Sequence, residues 1–518
     1  MNTETTRLWS DPSIDSMLVR HVRPAGAPRP AVLVIPGGGY CCVCESTEGT
    51  PIANRFDELG YQTFVLKYRV APSGRFPDAL EDGMRAMRLI RGNAAKWGVI
   101  PDQIAACGFS AGGHLAASLG TITFAAKAEN GDAFDSVDPV PNALLLCYPV
   151  LLSDQYGHVG SRRKYFGIPD DQAPTPEQDA LFQLPEHVTG ATPPAFLWTT
   201  PEDTVVPMEN SLAFMDAMRR HGRPCDLHVF ARGPHGMQLG YGRNDIAKWP
   251  ELADAFMHDT CGFRDPDRPC PGTVVLTFDD CPRSHLDYVA PLLRKYGFGA
   301  TFFVTRFDDA WRSEHDESAC LLSQQDVRAL HDMGFEIGNH TWNHACCMDD
   351  MDDAAAAAEF DRLEAWLAEA GVPRPKTFAY PGGPHRVKAE RIARERGYIG
   401  ARAVEDTGMR PWNPAADSPF HIPSVAIKEN VDWAFYHAID NMAGAKWRAA
   451  MLDTDPAPEP LPKDTVAVFV FHGVPDRVHP WCNTEPATFE KFMAFLHGRN
   501  FRCVSLAEAI EERRNPSG

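Results

Sequence analysis

Residues 103–120 read QIAACGFSAGGHLAASLG. The apolar run QIAAC predicts a strand, GGHLAASLG predicts the start of a helix, and Gly108-Phe109-Ser110-Ala111-Gly112 lies between them. A sharp strand-to-helix turn tolerates only small neighbours and pushes a serine hydroxyl out of the end of a sheet, so this context satisfies what a G-x-S-x-G nucleophile elbow requires. Ser110 is the candidate nucleophile. The helix behind it places the Ala111 N–H and a positive dipole end beside any oxyanion formed there.

Outward from this stretch, strand-like runs alternate with amphipathic helical ones. AVLVIPGGGY, QTFVLKYRV, ALLLCYPVLL, PAFLWTT and DLHVFARG read as strands, and PDALEDGMRAMRLIRGNAAKWG and SLAFMDAMRRHG as helices. That alternation predicts a mostly parallel α/β sheet covered by helices. A serine needs a base and an orienting carboxylate. Asp203, after the strand PAFLWTT, and His235, after DLHVFARG, follow in the order Ser, Asp, His that this fold uses. Asp203 is preferred to Glu202 because Glu202 abuts the strand end while Asp203 opens the turn. Gly38 and Gly39, in the Pro36–Tyr40 glycine run after the strand AVLVI, are the expected further oxyanion donors. His114, on the helix after Ser110, is expected to pack rather than react.

The chain has 518 residues, more than one hydrophobic core usually serves. CGFRDPDRPCPG is rich in Pro, Gly and charge and lacks periodicity. The expected organisation is therefore a first domain over residues 1–262, a linker over 263–272 and a second domain over 273–518. A second alternating series runs through TVVLTFDD, ATFFVTRF, FEIGNH, KTFAYPGG and DTVAVFVFHG, with MDDAAAAAEFDRLEAWLAEAG as a helix.

In this second series Asp279 and Asp280 sit at a strand end, where two adjacent carboxylates can reach one pocket and take separate tasks. His340 and His344 are four apart, the spacing of one helical turn, which would bring both imidazoles to one cation. Asp280, His340 and His344 then make a three-ligand set with open positions, Asp279 is left as base, and His472 at the end of VAVFVFHG is a second proton carrier.

The first half resembles the alpha/beta-hydrolase esterases that include acetyl xylan esterases, through IPGGGY, GFSAGGHLA, PEDTVVPMENS and HVFARGPHG. The second half resembles the metal-dependent polysaccharide deacetylases of carbohydrate esterase family four, through TFDD, HTWNH and VFVFHG. The resemblances imply an alpha/beta-hydrolase sandwich followed by a distorted (β/α) barrel that holds Zn²⁺ or a similar divalent ion. They also imply a bifunctional carbohydrate esterase that removes acetyl or other acyl groups from xylan-type oligosaccharides. The alternative is a serine esterase, acetyl or feruloyl, joined to a catalytically inactive, carbohydrate-binding deacetylase-like domain. Two positions depart from the deacetylase pattern. Cys281 stands where a glycine usually follows the aspartates, and Thr377–Gly383 lacks the arginine that orients the base; Arg402 is the candidate to supply that charge from another strand.

A net charge of -19 without a basic stripe argues against nucleic acid and anionic membranes as partners; acetylated oligosaccharide or polysaccharide is the partner that the resemblances imply. No apolar run is long enough to span a bilayer. The opening MNTETTRLWSDPSIDSML has no basic segment followed by an apolar one, so a cytoplasmic location is expected, or a secreted one if a leader was trimmed. Fourteen cysteines in so long a chain are not a disulfide framework, and the Cys41/Cys44 pair has no second pair beside it to complete a zinc site.

Overall fold

The computed structural model describes residues 2–514 apart from 25, 123–129, 170, 241, 268–269, 308–320, 405–410, 429–433, 437, 440–464 and 477–479. The chain divides into two compact units, Met1–Arg268 and Pro269–Gly518.

In the first unit eight strands, β1 (Asn2–Arg7), β2 (Met17–Val22), β3 (Arg29–Ile35), β4 (Gln62–Lys67), β5 (Val99–Phe109), β6 (Ala143–Cys147), β7 (Ala195–Thr199) and β8 (Cys225–Val229), form one sheet in the order β1-β2-β4-β3-β5-β6-β7-β8. From β4 to β8 the pairings are parallel. Side chains alternate across a strand, and both faces of the central strands are apolar. Ala31, Leu33 and Ile35 of β3 and Leu144 and Leu146 of β6 join one core with the helices Asp78–Gly92 and Ala111–Thr121. Val32, Val34, Leu145 and Cys147 join the other, against Phe56 and Trp249 of the helices Thr50–Glu58 and Trp249–Asp259.

β1 and β2 pair antiparallel at one edge and were not legible as strands. The reason is local: β1 is NTETTR, five of its six residues are exposed, and no apolar alternation marks it.

The second unit is a parallel barrel of β9 (Thr273–Asp279), β10 (Thr301–Val304), β11 (Glu336–Asn339), β12 (Thr377–Ala379), β13 (Gly400–Val404), β14 (Ile422–Ala426), β15 (Val466–Phe471) and β16 (Arg502–Val504). Seven strands, β9 to β15, close the ring, because β9 pairs with both β10 and β15. β15 runs along β9 from Thr273 to Phe278. The other edge of β9 is shared: β16 takes Thr273–Val275 and β10 takes Thr277–Asp279. An eighth strand thus wedges in at the start of β9, which is the distortion in this (β/α) barrel.

Glu336 opens β11 at the end of the barrel where the strands begin. Its carboxylate accepts from Thr301 Oγ1 at 2.7 Å, Thr377 Oγ1 at 2.6 Å and the Ala507 N–H at 2.9 Å, tying β10, β12 and the helix Leu506–Arg514 together. Burial pushes its carboxyl above the ordinary range, and those donors oppose the shift. No described helix is long and apolar enough to cross a membrane.

Glu336→Ala strands three donors in the barrel, so urea unfolding of the second unit should show a loss of about 2–4 kcal/mol. Glu336→Gln, which keeps its oxygen as an acceptor, should lose less than half of that.

Candidate active sites

The first site is built on the junction of β5 with the helix Ala111–Thr121. Ser110 joins them with φ 51° and ψ −116°, a backbone state that side-chain-bearing residues rarely adopt. The flanking glycines are steric necessities. A Cβ on Gly108 would lie 2.2 Å from Gly112 O, and one on Gly112 would lie 2.1 Å from Ile35 O.

The loops after β7 and β8 bring the other two residues in. Ser110 Oγ lies 2.9 Å from His235 Nε2, and His235 Nδ1 lies 2.7 Å from Asp203 Oδ2. The Val205 and Val206 N–H groups donate to Asp203 Oδ1 at 2.9 and 2.8 Å, and the Asp203 side chain is only 1% exposed. A carboxylate so fixed sets the imidazole orientation and tautomer. Glu202, the rival acid, instead accepts from the Gly233 N–H at 2.9 Å and braces the loop that carries His235.

Gly38 and Gly39 follow β3 with φ 124° and 61°, and Ala111 is the first residue of the helix behind Ser110. Two further residues organise this loop and were missed in the sequence. Buried Glu48 accepts the Gly37 N–H at 2.8 Å and the Tyr148 hydroxyl at 2.7 Å. The Tyr148 hydroxyl also accepts the Gln238 N–H at 3.1 Å, and its ring meets His235 edge-on at 5.0 Å. Burial raises the Glu48 carboxyl, with the Tyr148 and Gly37 bonds pulling the other way. Only the folded chain joins these segments, and no motif spacing announces them. His114 is wholly buried, stacked on Phe182 at 3.9 Å and 2.8 Å from the Tyr40 hydroxyl, and burial drives its imidazole down to about 3. It packs, as expected.

The second site lies at the carboxyl ends of the barrel strands, where the loops of a parallel barrel converge. Asp280 turns the chain with φ 71°, so Asp279 and Asp280 both line one cavity of about 400 Å³ with His340, His344 and His472. His340 and His344 each bring Nε2 to Asp280 Oδ1, at 3.5 and 3.6 Å, and His472 Nε2 lies 3.6 Å from Asp280 Oδ2.

The expected helical turn between the two histidines is absent. His340 follows β11, and residues 341–344 form a loop with φ 62° at Thr341 and 53° at His344. Side-chain bonds replace the helical ones: Thr341 N–H donates to Asn339 Oδ1 at 2.7 Å and Ala345 N–H to Thr341 Oγ1 at 2.8 Å. The two rings still converge, with centroids 4.9 Å apart.

His340 Nδ1 donates to Ala379 O at 2.8 Å, which leaves Nε2 as the acceptor facing Asp280. Burial lowers the His340 imidazole to about 4, against the pull of Asp279. At His344 burial acts the same way but is outweighed by the Cys346 thiol hydrogen bond and by Asp280, and the imidazole rises to about 9. Ligand atoms of Asp280, His340 and His344 all lie within 4.8 Å of one another. Two imidazole nitrogens and a carboxylate oxygen, one imidazole tied by a carbonyl on its far side, are a donor set that fits a borderline divalent cation.

Asp279 is held from another strand. Arg402, fully buried on β13 over the Phe303 ring, donates from Nη2 to Asp279 Oδ2 at 2.5 Å. Asp279 Oδ1 is buried with no hydrogen-bond partner among the described residues. The guanidinium absent from Thr377–Gly383 is thus supplied by the neighbouring strand. Cys281, buried with its thiol pushed up to about 12 by burial, fills space beside this turn.

Family models match the chain twice: "alpha/beta hydrolase fold" over residues 32–239 and "Polysaccharide deacetylase" over residues 267–401. The second match includes Asp279, Asp280, His340 and His344 and stops short of Arg402 and His472. Among curated proteins, the chain is 39% identical over 214 residues to "Endo-1,4-beta-xylanase B" of Butyrivibrio fibrisolvens, covering 41% of this chain and 33% of that protein. It is 28% identical over 311 residues to "Acetylxylan esterase" of Xylanibacter ruminicola, covering 59% of this chain and 60% of that protein. The chain therefore spans less than two thirds of the length of either relative. Among solved structures, the acetyl ester-xyloside bifunctional hydrolase from Caldicellulosiruptor lactoaceticus is 34% identical with a TM-score of 0.45, covering 48% of this chain and 93% of that one. Motifs and matched families together make this chain an alpha/beta-hydrolase esterase domain, similar to acetylxylan esterases, fused to a polysaccharide deacetylase domain.

Proposed function

We propose that the chain is a bifunctional carbohydrate esterase that removes acetyl groups from xylan-type oligosaccharides, with one site in each unit. The observation that carries the first activity is the unbroken chain from Ser110 Oγ through His235 to Asp203, at 2.9 and 2.7 Å. His235 Nε2 takes the Ser110 proton as Oγ attacks the acetyl carbonyl, and the Asp203 carboxylate balances the imidazolium that results. N–H groups of Ala111, Gly38 and Gly39 receive the developing oxyanion. The sugar hydroxyl leaves with the proton from His235, and water, deprotonated by the same imidazole, then releases acetate from Ser110.

In the second unit Asp280, His340 and His344 would hold a divalent cation, which when bound supplies Lewis-acid activation of water and of the acyl carbonyl. Asp279 is the base that takes a proton from the attacking water, and Arg402 fixes its carboxylate. His472, on the far side of Asp280, returns a proton to the departing sugar oxygen or nitrogen. A third motif without arginine would favour an inactive, sugar-binding domain. Arg402 on Asp279 offsets that argument and supports an active site.

Acetate release from acetylated xylooligosaccharides should separate into two parts. Ser110→Ala should cut the chelator-resistant part by about 10⁴-fold or more, and Asp279→Ala or chelation should remove the remainder. If chelator and Asp279→Ala change nothing on acetylated xylooligosaccharides or N-acetylglucosamine oligomers, the second unit is a binding domain.

Arg402→Met should lower kcat of the chelator-sensitive reaction by about 100-fold, because the base loses its fixed position. Steady-state kinetics in a Ser110→Ala background would show this as a loss in kcat larger than any change in KM.

A further inference from the structure

β15 runs beside β9, and their register ends where Phe471 lies opposite Phe278. The next residue along each chain is a proton carrier of the second site: His472 directly after β15, and Asp279 at the end of β9. Beyond Phe471 no strand register holds the His472 backbone among the described residues. Its ring is not tied from behind either, since His472 Nδ1 is buried with no hydrogen-bond partner among the described residues. A proton donor has to sit within hydrogen-bond reach of the atom it serves. The backbone must therefore supply the alignment that no ring partner gives.

Two residues in the turn after Asp280 do this. His285 Nε2 donates to the His472 carbonyl at 2.8 Å, and the Val474 N–H donates to Ser284 Oγ at 2.9 Å. The Gly473 N–H between them goes to Asp476 Oδ2 at 2.9 Å, within its own loop. The loop leaving His472 is thus pinned at two points to the segment that carries Asp279 and Asp280. With the backbone so held, His472 Nε2 comes within 3.6 Å of Asp280 Oδ2 at the cavity.

His285 is an unusual choice for its place in the core. It is 1% exposed and meets the Phe278 and Phe302 rings at centroid distances of 5.5 and 5.3 Å. Burial lowers its imidazole to about 4, so at neutral pH the ring carries one N–H. An apolar side chain would fill that space at less cost, because a buried polar group stabilises only when it is hydrogen-bonded. The bond it makes is the one to His472.

We propose that Ser284 and His285 are positioning residues for the second site, which fix the backbone at His472 so that its Nε2 stays aligned with the departing sugar atom. This rests on the reading of His472 as the proton donor of a deacetylase.

A double-mutant cycle tests it, with chelator-sensitive acetate release followed at high enzyme concentration in the Ser110→Ala chain. His472→Ala should lower kcat about 100-fold. His285→Phe keeps a ring in the space without a donor, and Ser284→Ala removes the acceptor. Each should lower kcat about ten-fold, with KM changed less than about two-fold. His285→Gln, whose amide N–H can stand where Nε2 does, should recover most of the loss. In a His472→Ala background His285→Phe and Ser284→Ala should cost nothing further, because the group they align is gone. Zn²⁺ affinity by calorimetric titration should be the same in the His285→Phe and Ser284→Ala chains as in their parent. Losses of equal size in both backgrounds, no loss from either variant, or weakened Zn²⁺ binding overturns the proposal, and the two residues then only support the loop. A different result removes the reading beneath it: no chelator-sensitive release at all, or release that His472→Ala leaves unchanged, shows that His472 is not the donor.

Discussion

Parallel strands all point one way, and that polarity governs both units. A parallel pairing cannot be closed by a tight hairpin, so each strand is followed by a long connection, and every such connection begins at the same rim of the sheet. In the first unit Ser110, Asp203 and His235 come from the rims of β5, β7 and β8. In the second, Asp279, His340, Arg402 and His472 come from the ends or bodies of β9, β11, β13 and β15. Residues scattered over most of each unit meet because the strands that carry them are aligned, and each can take its task without a neighbour in sequence.

That constraint also explains what could be read from the chain alone. Strand-to-helix punctuation around Ser110 is local, and so are the ends of β7 and β8, so the three residues of the first site were legible from residue type, context and order. Asp279 and Asp280 were legible for the same reason. The His340–His344 spacing pointed to two imidazoles that do converge, but by another route, since four residues suit a helical turn and here span a loop held by Asn339 and Thr341 side chains. Short strands were the weakest point. β13, β14 and β16 were not read as strands: they are about as short as β10 to β12 but, unlike β12 before Tyr380-Pro381-Gly382-Gly383, are followed by no Pro/Gly turn signal that marks their ends.

Glu48, Tyr148 and Arg402 show what lies beyond a linear reading. Glu48 is a buried carboxylate whose partners, Gly37 and Tyr148, lie on separate segments, and its burial is a property of the fold rather than of the residues around it in sequence. Arg402 was a candidate only because a charge was missing elsewhere. In a barrel, residues on adjacent strands can present a side chain to the same point, so β13 can replace β12 as the source of a guanidinium with the geometry at Asp279 preserved. Such a relocation is invisible to a motif that fixes an arginine at one position. It is also a reminder that a family pattern describes a constellation in space, which different segments can fill.

The shared edge of β9 has a consequence for how the second unit is made. Thr273–Val275 of β9 pair with β16, at the far end of the unit in sequence. As the chain leaves the ribosome, β9 emerges first of its ring, yet that edge stays bare until residue 504 has been synthesised. All the contacts that close the ring are long-range, the kind that form late and leave apolar strands open to other chains meanwhile. In the first unit the wait is shorter: from β6 to β8 each strand pairs with the one before it in sequence. Its sheet can be complete while the ring of the second unit is still open.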